Sequence, residues 1–211
     1  MALISKKIEK EIKKHSYETH IEAQIAFKDR DKTQEERIEA LEYLLANKSI
    51  AHILKIANDL FALNSLEEHI FIDVIFSGFS GRKRNDDDFE QLFQTLKSDN
   101  VYLRNIAITY LQESDEDAIE FIEKLLKNPD QDIRIFAINI LGDVRYDKSV
   151  DILRYFIAQE GDVNAMMTAV DYIGEVGTID DIELLESLKL VHKDNPYVLF
   201  GVDLAINRIH G

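Results

Sequence analysis

The sequence predicts an all-α protein, a right-handed α-solenoid of about five stacked helical hairpins, and three observations carry that prediction. The chain holds only 8 Gly and 2 Pro among 211 residues, too few for the many turns of an all-β fold. Its C-terminal half repeats itself: Asp99, Asp130, Asp162 and Asp194 recur at steps of 31, 32 and 32, and Ala107, Ala137, Ala169 and Gly201 at steps of 30, 32 and 32. Within each repeat the apolar residues follow helical spacing, as Ile133, Ala137, Ile140 and Leu141 do, instead of alternating as in a strand.

Taken in order, residues 1–211 read as one solenoid. Residues 1–32 form a helical lead-in, with Leu3, Ile4, Ile8 and Ile12 on one stripe and Ile21, Ile25 and Phe27 on the next. Two divergent hairpins follow over 33–97. They open on Thr33-Gln34-Glu35-Glu36 and Ser65-Leu66-Glu67-Glu68, capping boxes whose hydroxyl and carboxylate satisfy free amides of the first turn. Three regular repeats fill 98–193, starting at Ser98, Asn128 and Glu160. Gly142-Asp143-Val144 of one repeat returns 32 residues later as Gly174-Glu175-Val176. The small residue in each first helix (Ala107, Ala137, Ala169, Gly201) marks a close approach between neighbouring helices. One hairpin cannot bury its own apolar face, so the hairpins stack. Residues 194–211 supply a single helix that caps the stack.

The residues Asp130, Ile133-Arg134, Ala137 and Leu141-Gly142, followed by Val150 and Leu153, are echoed by Asp99, Leu103-Arg104, Ala107 and Leu111. Over about 98–209 this pattern resembles the HEAT-like repeats, specifically the short bacterial type also called phycobilisome-lyase HEAT-like repeats. The resemblance implies an armadillo-type superhelix. By name alone it also implies a bilin lyase-like or chaperone role, for which no residue gives independent support. Met166 and Val198 stand where the family has Arg, which speaks against a continuous Asp–Arg ladder. The pattern specifies a fold far better than a function.

Composition narrows the function classes. With no cysteine there are no disulfides, thiolate metal sites or Cys nucleophiles. The 25 Lys+Arg against 40 Asp+Glu give a net charge of -15, which argues against nucleic acid as a partner. No apolar run reaches the ~18 residues of a membrane span, and the opening MALISKKIEKEIKKHS lacks a signal-peptide apolar region, so the expected location is cytoplasmic. The six histidines are scattered, none is followed by Glu, and nucleophile-elbow, P-loop and dinucleotide-binding patterns are missing. No catalytic, metal or cofactor residues are therefore assigned, and no cofactor is expected. The oligomeric state is left open.

Three surfaces remain as binding candidates. The second helices of such hairpins present Glu120, Asp151 and Glu183 in one column and Glu123, Arg154 and Glu186 one turn on, and neighbouring repeats place successive members of the first column roughly 10 Å apart. This acidic stripe suits the basic surface of a partner protein. The insertion at 77–88 carries Phe79, a candidate exposed anchor, and the cations Arg82, Lys83 and Arg84 ahead of three aspartates. Residues 1–14 hold five Lys against two Glu and read as an end cap whose lysines pair with the solenoid's acids. The expected function is a non-catalytic protein–protein interaction module, scaffold or regulator. An immunity or inhibitor protein directed at a basic toxin is a further reading that the charge allows.

Overall fold

The structure is a computed structural model that describes residues 17–62, 66–114, 118–143 and 148–211. Among them every regular element is helical. After α1 (His20–Lys28) come α2 (Gln34–Asn47) with α3 (Ile50–Leu60), and α4 (His69–Ser77) with α5 (Asp86–Leu96). Next are α6 (Val101–Gln112) with α7 (Ile119–Leu125), α8 (Gln131–Asp143) with α9 (Ser149–Gln159), and α10 (Val163–Val176) with α11 (Ile182–Val191). The last helix is α12 (Pro196–His210). The all-α solenoid is the fold, and the first and second helix of each hairpin are called A and B below.

Local chemistry sets the helix starts. Thr33 and Glu36 make the reciprocal capping box at α2, and Thr19 with Glu22 and Asn85 with Asp88 make the same device at α1 and α5. Asn100, Asp162 and Asn195 cap α6, α10 and α12, so the repeating aspartate column lies at or one residue before a helix start. Each such cap stabilises its helix by about 1 kcal/mol. Ser65 lies outside the described residues. The helix after it, α4, follows a 3-10 turn at Leu66–Glu68 and has no side-chain cap.

The A helices α2, α4, α6, α8, α10 and α12 pack side by side. Ala107, Ala137 and Ala169 are fully buried in that stack. A Cβ on Gly174 would lie 2.9 Å from the Cα of Ala205, so α10 and α12 meet backbone to backbone. The B helices behave differently. α3 packs on α5, but from α5 onward successive B helices stand further apart and grooves open between them.

Polar ties hold successive hairpins in register. The Asn100 side chain donates to the Phe61 carbonyl at 2.9 Å, and the amide of Ala51 donates to the buried Asp88 carboxylate at 2.7 Å. Arg134 grips Glu160 through two hydrogen bonds of 2.7 and 3.0 Å, linking α8 to the start of the next repeat. No Asp–Arg ladder runs along the described residues: Arg104 donates to the Ser98 carbonyl, and Met166 and Val198 are core residues.

One expectation needs correction. Ile21 and Ile25 are 59% and 65% exposed, whereas Ala23, Ala26 and Phe27 are buried. Phe27 lies about 200° round the helix from Ile25, so the three never shared a stripe. The small alanines let α1 approach α2 closely. At the other end α12 buries Val198, Val202 and Ala205 and exposes Phe200 together with Asp203, Asn207 and Arg208. The stripe Leu3, Ile4, Ile8 and Ile12 and the basic stretch 1–14 lie outside the described residues.

Candidate functional site

The B helices α7, α9 and α11 expose Glu120, Asp151 and Glu183, with Glu123, Arg154 and Glu186 one turn further. Most of this stripe is locally neutralised. Glu120 pairs with Lys124 at 2.9 Å, and Glu186 pairs with Lys189, which also binds Asp203. Arg154 pairs with Asp151 and, more deeply, with the buried Asp181. That guanidinium holds the Asp181 carboxyl below the ordinary carboxylate range, and the same hydrogen bond pushes the Arg154 pKa up. Glu123 and Glu183 have no ion-pair partner among the described residues, so the acid available to a partner is concentrated on these two side chains.

The spacing of the B helices gives this face relief. Between α7 and α9 lies a groove of about 620 Å³ with Leu126, Ile152 and Phe156 in its lining. Tyr155 stands on its wall, 64% exposed, and Glu123 and Asp151 line the same groove. Between α5 and α7 a smaller groove of about 340 Å³ is lined by Phe89, Phe93, Phe121 and Glu120. Lys127 and Lys148 share the α7–α9 lining, and Glu123 is its one acid without an ion pair among the described residues. Apolar surface rimmed by charges is the composition of a protein-binding patch, where tyrosine is a frequent anchor.

The insertion after α4 differs from its expectation. Phe79 is fully buried, edge-on to Phe76 and Tyr110, because a large aromatic gains far more from core packing than from exposure on a loop. It is therefore not a surface anchor. Arg82 crosses to the preceding hairpin and donates to the carbonyls of Leu45 and Lys48, supplying a cation to the C-terminal end of α2. Arg84 donates to the Ser114 hydroxyl and lies over the Tyr110 ring. Lys83, between them, is exposed. Asp88, last of the three aspartates, serves the starts of both α5 and α3. Among the described residues no group of His, Asp and Glu could hold a metal ion, and no helix is long and apolar enough to cross a membrane.

A family model for HEAT repeats matches residues 89–162 and 119–201, which together span more than half the chain. The chain is a HEAT-repeat protein. No curated protein matches it. HEAT repeats generally mediate protein–protein interaction. In this HEAT-repeat chain Glu120, Asp151, Glu183 and Glu186 are exposed as their spacing implies, Glu123 and Arg154 are half-buried, and three structural features escape the sequence. The α7–α9 groove with Tyr155 needs the helix spacing to be known. The Arg154–Asp181 and Arg134–Glu160 ties join residues 27 and 26 positions apart, a separation close to the repeat length. Of the two roles of Asp88, the one at α5 had a signal in the capping-box spacing of Asn85 and Asp88, whereas its bond to the Ala51 amide of α3 had none.

Proposed function

We propose that this HEAT-repeat protein is a non-catalytic interaction module that binds a protein with a basic surface across α7, α9 and α11. The α7–α9 groove is the centre of that contact. The observation that carries the reading is Tyr155: a large aromatic left 64% exposed beside an apolar groove of about 620 Å³. Glu123 in the groove lining and Glu183 on α11 are the acids free to meet partner cations. The net charge of -15 would draw a cationic partner in quickly at low salt.

Immobilised protein exposed to lysate of the source cells at low salt, eluted by a salt gradient, tests this. One basic protein should be retained. Tyr155→Glu, and separately Glu123→Lys with Glu183→Lys, should each release it at lower salt while helical circular dichroism is unchanged. Equal retention by both variants contradicts the reading.

A further inference from the structure

A second cavity, of about 750 Å³, lies between the A helices α4 and α6 beneath the insertion 77–84, and the protein-partner reading makes no use of it. Its volume is in the range that holds a small organic ligand. The wall above it is built and held. Phe79 plugs the loop into the core, Arg82 is fixed by two carbonyls of the preceding hairpin, and Arg84 by Ser114 of the following one. Such a loop loses little freedom when a ligand arrives.

The chemistry of that wall is unusual for this chain. Arg82, Lys83 and Arg84 line the cavity together on a protein of net charge -15. Arg82 is half-buried and bonds to carbonyl oxygens, with no carboxylate within ion-pair distance among the described residues. Lys83 is exposed and likewise without an ion pair among them. The hydroxyls of Ser77, Ser80 and Thr109 line the same space, and Gly81, at φ +70°, has nothing near the position of its missing side chain. Two acids share the lining. Asp73 accepts the Tyr102 hydroxyl at 2.7 Å one turn below Ser77, and Glu113 is exposed. Among the described residues the lining therefore sets Arg82 and Lys83, neither of them ion-paired, beside the Tyr102-bonded Asp73 and the exposed Glu113, with hydroxyl donors between them.

We infer that this cavity binds a phosphorylated small molecule, its phosphoryl group beside Lys83 and Ser80 and the rest of the molecule against Phe76 and Ile106. A phosphoryl group offers three acceptor oxygens to the ammonium, guanidinium and hydroxyl donors grouped here, one more than a carboxylate can. The apolar side chains give the remainder of such a ligand a surface that inorganic phosphate would leave empty.

Two-dimensional amide NMR of the full chain at constant ionic strength, titrated with inorganic phosphate and in parallel with acetate, tests the inference. Phosphate at millimolar concentration should give saturable shifts at Ser80–Arg84 and Thr109–Ser114, and acetate weaker ones. Lys83→Glu, at an exposed position where folding is not at stake, should weaken phosphate binding roughly tenfold or more. Lys193→Glu makes the same charge change at a distance and should leave it unaltered. No saturable shift at the loop, acetate binding as well as phosphate, or equal binding by Lys83→Glu would each overturn the inference.

Discussion

Gly174→Ala gives the sharpest stability prediction, because two effects of opposite sign meet at one atom. Alanine is better than glycine inside a helix by about 1 kcal/mol, so at an exposed site the change would stabilise α10. At position 174 the new methyl would lie 2.9 Å from both the Cα and the Cβ of Ala205, and a backbone atom cannot swing away as a flexible side chain can. α12 has to shift along its whole packed face. Overpacking of this kind costs about 1–3 kcal/mol, and contact with main chain places it near the upper end. The net effect is a loss of roughly 1–2 kcal/mol, or a Tm lowered by about 2–8 °C for a chain of this size. Gly161→Ala is the internal control. Nothing lies within 4 Å of its absent Cβ and its φ is not in the left-handed region, so it should be neutral or stabilise by up to about 1 kcal/mol. Thermal unfolding followed at 222 nm reads both. A Gly174→Ala protein as stable as wild type would refute the backbone contact between α10 and α12, and with it the tight A-helix stack.

Phe79→Ala should cost about 3–5 kcal/mol by urea unfolding, since the ring is fully buried between Phe76 and Tyr110; a cost below 1 kcal/mol would return Phe79 to the surface. Arg154→Met leaves the buried Asp181 without its guanidinium and should destabilise by roughly 1–3 kcal/mol at neutral pH. Because the folded pKa of Asp181 is depressed, its contribution is fully present above the unfolded carboxylate pKa of about 4 and is lost as pH falls through the folded value. The gap between wild type and Arg154→Met should therefore close below about pH 4, and a pH-independent gap counts against the pair. His52 is pushed below its ordinary pKa, mainly by burial and then by Lys48, His20 and Lys55, so folding favours the neutral ring. Its contribution holds above about pH 6.5 and falls away as pH drops below that, and an imidazole NMR titration midpoint at or above 6.5 would disprove it.

Much of the architecture was legible because a repeat writes the same instruction several times. The aspartate column marked helix starts to within a residue, and the Ala107, Ala137, Ala169 column marked the buried seam, since small size is demanded wherever two helices touch. Ile21 and Ile25 misled because α1 is short and buries alanines, whose weak hydrophobic signal is outvoted by two exposed isoleucines. The insertion at 77–88 misled for a related reason. Its place outside the repeat pattern suggested an exposed Phe79, but Phe79, Arg82 and Arg84 each find partners outside their own hairpin, and such contacts have no local signature. The B-face acids were legible as exposed positions. Their neutralisation by Lys124, Arg154 and Lys189 was partly readable from spacing of three or four residues, whereas the groove beside Tyr155 depends on how far apart α7 and α9 stand.

The central claim, that this chain binds a protein through the α7–α9 groove, is tested most directly by placing a photo-crosslinking phenylalanine analogue at position 155 in the source cells. The same residue at the exposed position 207 on α12 serves as control. One discrete protein adduct at 155, absent at 207, is the predicted result. No adduct at 155, or the same adducts at both positions, would contradict the account.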